Sequence, residues 1–112
     1  MKVETKRCML ICFSINSDRF KSISERNSFF KQLYGWNQKI VKERKTYTYR
    51  RNGLLDNVPH MKVDQSSFII PEDEFDKVFN FFEQWSKKVI WKTFKILLEE
   101  KEWEEFFKWG KW

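Results

Sequence analysis

KTYTYRRNGLLDNVPHMKVDQSSFIIP, residues 45–71, is the stretch that decides the fold. Residues 46–51 alternate in character with a period of two, which is the period of a strand. Gly53 and Pro59 then favour a turn or loop, and Val63 with the run SSFIIP, residues 66–71, predicts a second short strand. We expect the two strands to form a hairpin in the middle of a small sheet. Its surface is a nucleic-acid interface, the remainder of an active site, or a sheet surface with no binding function.

Further elements are predicted on both sides of this hairpin. RCMLICFSI, residues 7–15, is a nearly continuous apolar run and fits a central strand. Residues 24–41 predict a helix with Ser24 as its N-cap, apolar side chains at three- and four-residue spacing, and Gly35 as a weak point. Pro71 and the acidic EDE that follows predict the start of a second helix with a broad apolar face.

The C-terminal part allows two interpretations. VIWKTFKILL, residues 89–98, fits a strand because it is rich in β-branched and aromatic residues, although it could also prolong the second helix. Residues 99–112 predict a terminal helix. With the strand interpretation, the order strand, helix, strand, strand, helix, strand is that of the ferredoxin-like split βαβ pattern. The predicted fold class is α+β: a single domain, 1–112, with an antiparallel sheet, two helices on one face and a C-terminal helical extension, 99–112.

The excess of positive charge lies in the first half of the chain. Residues 1–56 contain 13 Lys and Arg against 5 Asp and Glu, whereas residues 57–112 contain 9 against 11. Residues 39–51 hold six bases and one acid, and such a segment attracts phosphates or acidic surfaces. The alternative is a solvated face on a lysine-rich protein.

No metal, cofactor or membrane segment is expected. Cys8 and Cys12 would lie about 13 Å apart on a strand, too far for a disulfide, so both are predicted to be buried thiols. His60 is the only histidine, which makes a zinc site improbable. The chain shows neither a signal-peptide pattern nor a membrane-length apolar run, so we expect a cytoplasmic protein. Its Lys-, Glu-, Ile- and Phe-rich composition is typical of hyperthermophilic archaea and of their viruses and plasmids.

Two short segments carry a family resemblance. The run FSI, residues 13–15, ends the first predicted strand, and KVDQSSF, residues 62–68, lies on the third. In layout and at these positions the chain resembles the small ferredoxin-like CRISPR-associated adaptation nucleases. That family has an Asp between the aromatic and aliphatic residues of the first segment, where it is thought to hold a divalent metal. Here Ser14 stands at that position and Asp18 follows four residues later, so the resemblance implies the fold and a dimer more than catalysis.

The strongest candidate site is cationic and aromatic. Cations neutralise phosphates, and tyrosine rings on a sheet can stack against bases. In the alternative interpretation, the tyrosines face the core, and the Lys and Arg side chains protect an edge strand from aggregation. The candidate nucleic-acid-binding residues are Lys42, Arg44, Lys45, Tyr47, Tyr49, Arg50 and Arg51.

Three other features have simpler explanations. His60 could act as a general base, but a structural or surface role is favoured because no nucleophile or carboxylate pair accompanies it. The acidic residues at 72–76 could bind a metal, but they also suit the positive end of a helix. The aromatic tail is a possible protein-binding element through Trp103, Phe106, Phe107 and Trp109.

These observations predict a small, non-catalytic nucleic-acid-binding protein, acting on DNA or RNA as a homodimer. The alternatives are a metal-dependent nuclease that uses Asp18 or another carboxylate, and an inhibitor of a host complex that binds through the aromatic tail. The dimer is expected because the sheet face away from the helices needs a cover, which a second copy can provide. The competing cover is segment 99–112, folded back with Trp103 and Phe107 inward.

Overall fold

The computed structural model describes the backbone of residues 4–109 and the side chains of residues 4–105. The fold is mixed α+β and forms two compact units. One unit combines the chain up to Arg19 with the chain from Pro59 onward, and the other is Phe20–Val58. The α-helices and strands are, in order, β1 (Thr5–Ile15), α1 (Ile23–Tyr34), β2 (Trp36–Lys42), β3 (Lys45–Arg51), β4 (Met61–Asp64), β5 (Ser67–Pro71), α2 (Phe75–Gln84), β6 (Val89–Glu99) and α3 (Glu100–Trp109).

The first unit is built on a four-stranded sheet with the order β4-β5-β1-β6. Every neighbouring pair is antiparallel. The apolar run at residues 7–15 lies on β1, which pairs with a strand on each side, as a central strand is expected to do. β6 confirms the strand prediction for residues 89–98, so the alternative of a prolonged helix is wrong.

One face of this sheet packs against α2. Ile11 and Phe13 of β1 and Phe68 of β5 are buried there. The Phe82 ring of α2 lies with its centroid 5.4 Å from Phe13 and 5.2 Å from Trp91 of β6. Full burial of such a side chain contributes about 1.5–3 kcal/mol, so this aromatic cluster is a main source of stability in the unit.

The opposite face is covered in part by α3. Trp103 is buried there with Cys8 and Ile69, and Leu10 and Ile96 pack around them half-buried. The C-terminal segment therefore supplies part of the cover, with Trp103 inward as the competing prediction had it, whereas the side chain of Phe107 lies outside the described residues. Burial raises the pKa of the Cys8 thiol, which keeps it protonated and unreactive.

The predicted hairpin between residues 46–51 and 66–70 is wrong. β5 pairs with β1 and with β4, and its turn to β4 is closed by Asp64. The Asp64 carboxylate accepts hydrogen bonds from the Ser66 amide at 2.7 Å and the Ser67 hydroxyl at 2.9 Å, and these bonds lower the pKa of Asp64. β4 is thus the neighbour of β5 in the place that had been expected for residues 46–51.

The second unit contains α1 and a separate hairpin of β2 and β3. α1 begins at the N-cap Ser22, whose hydroxyl accepts a hydrogen bond from the Glu25 amide at 3.1 Å, so the prediction of Ser24 as the cap is wrong. The helix ends at Tyr34 rather than near residue 41, because Gly35 adopts φ 77° and ψ 179° and turns the chain into β2. That conformation is essentially restricted to glycine.

Two other sequence predictions have mixed outcomes. Cys8 and Cys12 are both free thiols, as expected, but only Cys8 is buried and Cys12 is half-buried. The ferredoxin-like placement of two helices on one sheet face stays a prediction, because α1 and α2 belong to different units.

Candidate nucleic-acid interface

The β2–β3 hairpin carries all seven predicted site residues. Its strands are joined by Glu43 and Arg44, which have φ values of 51° and 67°. Positive φ at both central residues is the geometry of a type I′ turn, whose twist matches that of the two strands. Lys42 ends β2, Arg44 lies in the turn, and the other five residues are on β3.

The register of the hairpin sorts these residues onto two faces. Lys42 pairs with Lys45, Ile40 with Tyr47, and Gln38 with Tyr49. Directly paired residues share a face, and so do residues two apart on one strand. Lys42, Lys45, Tyr47, Tyr49 and Arg51 are therefore on one face, here called the tyrosine face. Trp36, Gln38 and Ile40 of β2 complete it.

The two tyrosine rings are open to solvent. Tyr47 is 41% exposed and Tyr49 is 46% exposed, and every residue of β3 is exposed. The alternative in which these tyrosines face the core is therefore wrong. Because they are two positions apart on a strand, the Cα atoms of Tyr47 and Tyr49 are about 7 Å from each other, so each ring can stack a different base.

Local contacts hold the side chains next to the rings. The Arg51 guanidinium lies 5.8 Å from the centroid of the Tyr49 ring, and its Nε donates a hydrogen bond to Gln38 Oε1 at 2.7 Å. On β2, the Trp36 ring is approached by Lys31 Nζ at 4.1 Å. Such cation–π contacts contribute about 0.5–1 kcal/mol at exposed sites and limit the rotamers of the basic side chains.

Arg50 differs from the other candidates because it lies on the opposite face. Its guanidinium contacts Asp56 at 2.7 Å and donates a hydrogen bond to the Tyr34 carbonyl at 2.8 Å. Asp56 in turn accepts a hydrogen bond from the Gly53 amide at 2.8 Å. Arg50 thus connects the hairpin to the end of α1 and to the turn after β3, and its charge is partly neutralised by Asp56.

The remaining candidates belong to the first unit, outside Phe20–Val58. Ser14 is exposed near the end of β1, and Asp18 lies in a short 3-10 turn, Ser17–Arg19. Among the residues that the structure describes, no group of three or more His, Cys, Asp or Glu side chains could hold a metal ion. The acidic run at 72–74 forms a 3-10 turn that leads into α2, and Lys77 Nζ lies 2.8 Å from Glu74 Oε2. His60 precedes β4 and is half-buried.

The aromatic tail is only partly described. Trp103 is buried against the sheet rather than exposed for a partner. The side chains of Phe106, Phe107 and Trp109 lie outside the described residues, so the tail as a protein-binding element stays a prediction.

Sequence reasoning missed the β2 half of the tyrosine face. Trp36 and Ile40 fitted the helical spacing of residues 24–41, which concealed their alternation with polar residues. The available signal was Gly35, because a glycine followed by an alternating pattern favours a helix end and a new strand.

Comparisons with protein-family models, curated proteins and solved structures find no match to this chain. The resemblance to the adaptation nucleases therefore stays a prediction. Over the described part of the chain, no helix has both the length and the apolar character needed to span a membrane.

Proposed function

We propose that this protein binds single-stranded nucleic acid on the tyrosine face of the β2–β3 hairpin. The observation that supports this most strongly is the exposure of Tyr47 and Tyr49 on the same face as Lys42, Lys45 and Arg51. Aromatic rings stack on bases of any sequence, and the neighbouring cations neutralise the phosphates. A single strand is favoured because its bases are unstacked and accessible to the rings, whereas those of a duplex are not.

The distribution of charge also supports the proposal. Residues 20–58 contain nine Lys and Arg against three Asp and Glu, a net charge of +6. The rest of the chain contains 13 of each kind, so the entire net charge of the protein lies in the unit that carries the hairpin. A local positive field of this kind raises the concentration and association rate of polyanions.

The proposal is tested by titrating a labelled single-stranded oligonucleotide, as DNA and as RNA, at several salt concentrations. Four cations at the site, Lys42, Arg44, Lys45 and Arg51, predict a slope of log K against log salt of about −3. Tyr47→Ala and Tyr49→Ala are each expected to weaken binding by about 1–3 kcal/mol, because each removes one stacked base.

The opposite face of the hairpin supplies matched controls. Lys39 pairs with Thr48 on that face, so Lys39→Gln and Thr48→Ala change the same hairpin without changing the tyrosine face. Both controls should bind within about twofold of the wild type, since neither removes a stacking ring or a cation of the site. Equal losses in the tyrosine variants and in these controls would contradict the assignment. Tighter binding to duplex than to single strand would contradict the stacking mechanism.

A further inference from the structure

The outer edge of β6 is unpaired. In the part of the chain that the structure describes, β6 pairs with β1 along all eleven of its residues on one side and with no strand on the other. An unpaired edge presents a row of backbone N–H and C=O groups that can pair with another strand.

The other edge of the same sheet is protected. β4 has only four residues, and its register with β5 shifts between Lys62 and Asp64. Short length and irregular pairing are common ways to prevent edge-to-edge association. β6, in contrast, is long and regular and contains no proline. The sheet therefore has one edge that is suited to pairing.

The side chains along β6 are apolar on both faces of the sheet. Ile90 is 65% exposed, Phe94 50% and Leu97 66%. Ile90 and Phe94 are on the face that α3 covers in part, and Leu97 is on the face that α2 covers. Trp103 of α3 packs with Cys8 of β1 and Ile69 of β5, and neither Ile90 nor Phe94 belongs to that cluster. Pairing at this edge would remove apolar surface from water on both faces.

We propose that β6 pairs with β6 of a second copy of this chain, antiparallel, about a two-fold axis at Phe94, giving a continuous eight-stranded sheet. A two-fold axis perpendicular to the sheet keeps each residue on its own face and makes the contact self-complementary. In this register all eleven residues pair. Phe94 is opposite the partner's Phe94, Ile90 is opposite the partner's Leu98, and Leu97 is opposite the partner's Trp91.

Charge and apolar pairing favour this register over those with the two-fold axis at a nearby residue. An axis at Lys95 or at Lys92 would place that lysine directly opposite its own copy, which is destabilising. An axis at Thr93 would place Phe94 opposite the partner's Lys92, and an axis at Ile96 would leave Ile90 uncovered. With the axis at Phe94, no like charges are opposed, and each of the three exposed apolar side chains meets an apolar one.

The packing beside the strand favours the same register. The Trp91 ring lies 5.6 Å from the ring of Phe79 on α2, and Phe79 is itself partly exposed. The partner's Leu97 would lie next to these two rings and extend the α2-side core across the interface. The interface consists of residues outside Phe20–Val58, so it shares no residue with the proposed nucleic-acid site.

The oligomeric state of the full chain tests the proposal. Light scattering after gel filtration, at about 100 µM because a single strand pair gives a modest interface, should give twice the chain mass of 14.0 kDa. Phe94→Lys should give a monomer, since it places two lysines at the axis. Val63→Lys is the matched control, because Val63 is an exposed apolar residue on β4, at the protected edge, and this variant should remain a dimer. Circular dichroism verifies that both variants are folded.

Cross-linking tests the register and does not depend on the lysine variant. In a Cys12→Ser background, Phe94→Cys should form a disulfide-linked dimer on mild oxidation, because directly opposed residues have Cβ atoms about 4.5–5.5 Å apart. Lys92→Cys should not, since its opposite residue is the partner's Ile96. A monomeric wild-type chain would overturn the proposal. So would a dimer that Phe94→Lys leaves intact, or one that cross-links at residue 92 rather than 94.

Discussion

At the scale of single residues, Arg50 and Arg51 are adjacent in sequence but have different surroundings. Arg50 is bound to Asp56 and the Tyr34 carbonyl, while Arg51 lies beside Tyr49 on the tyrosine face. Arg50→Gln should therefore lower the free energy of unfolding by about 1–2 kcal/mol, a range reduced for the partial exposure of the pair, and leave the salt dependence of binding unchanged. Arg51→Gln should make the salt slope shallower by about 0.7 and lower stability by no more than about 1 kcal/mol, because its contacts with Tyr49 and Gln38 are exposed. Urea unfolding and salt titration of both variants measure these effects, and the reverse pattern would contradict the assignment of faces.

The stability of the protein depends on pH through Glu4, which interacts with Glu100 at the start of α3. A hydrogen bond with the Glu100 side chain, and then the charge of Glu100, raise the pKa of Glu4 above its ordinary value of 4.5, and Glu104 adds to the effect. A carboxyl whose folded pKa is raised favours the protonated folded state. Its stabilisation is present at low pH and is lost as pH rises from the ordinary value through the raised pKa.

Glu4→Gln should therefore raise the melting temperature at neutral pH and weaken the pH dependence of stability above the ordinary glutamate pKa. Lys101 and Glu99, which lie near these carboxyls, are unchanged in the variant. Thermal unfolding across this range is the measurement, with Glu105→Gln as the control on the exposed part of α3. An equal gain in the control would show that general charge, rather than the Glu4–Glu100 contact, is responsible.

The residues of the candidate site could be proposed from the sequence, but their exposure could not. Alternation at residues 46–51 predicted a strand, and on that strand Tyr47, Tyr49 and Arg51 share a face that Arg50 does not. A period of two cannot say whether another element covers one of the two faces. The partner of Arg50 is Asp56, beyond the end of β3, and no local pattern links the two residues.

At the scale of elements, the sequence predicted strands well where apolar runs are long and also at β3, where polar and aromatic residues alternate. β1, β5 and β6 match the predicted strands within a few residues because each is largely apolar or rich in β-branched and aromatic residues. β2 was predicted as helix because Trp36 and Ile40 are spaced as on a helix face. The pairing of β3 with β2 was missed because its turn, Glu43–Arg44, contains neither Gly nor Asn, the usual signals for positive φ.

Gly35 determines the boundary between α1 and β2. A Cβ at this position would lie 2.5 Å from Asp56 Oδ2 and 2.7 Å from the Arg51 carbonyl oxygen. Gly35→Ala combines this clash with a backbone conformation that costs about 1–3 kcal/mol outside glycine. We expect a loss of at least that size in urea unfolding, whereas Lys39→Ala, on the exposed side of β2, should change stability by less than about 0.5 kcal/mol. An unchanged stability in Gly35→Ala would mean that the helix does not end as described.

At the scale of the whole molecule, two units differ in composition and chemistry. The four-stranded sheet with α2 and α3 contains the large aromatic core and has no net charge, while Phe20–Val58 carries the full +6. The sequence revealed the charge asymmetry between its halves. It did not reveal the boundaries of the units. Residues 20–58 lie between β1 and β4 in the sequence, so the first unit is assembled from two distant parts of the chain.

The central claim is that nucleic acid contacts the tyrosine face, and photocross-linking tests it most directly. The full chain would be irradiated with a single-stranded oligonucleotide that contains photoreactive bases, digested, and analysed by mass spectrometry. Stacked rings are the groups closest to the bases, so we predict adducts at Tyr47 and Tyr49. These adducts should not form when irradiation is carried out at a salt concentration that releases the strand. Adducts that form equally well on irradiation at high salt would contradict the account. So would adducts on β6 or α3 while both tyrosines remain unmodified.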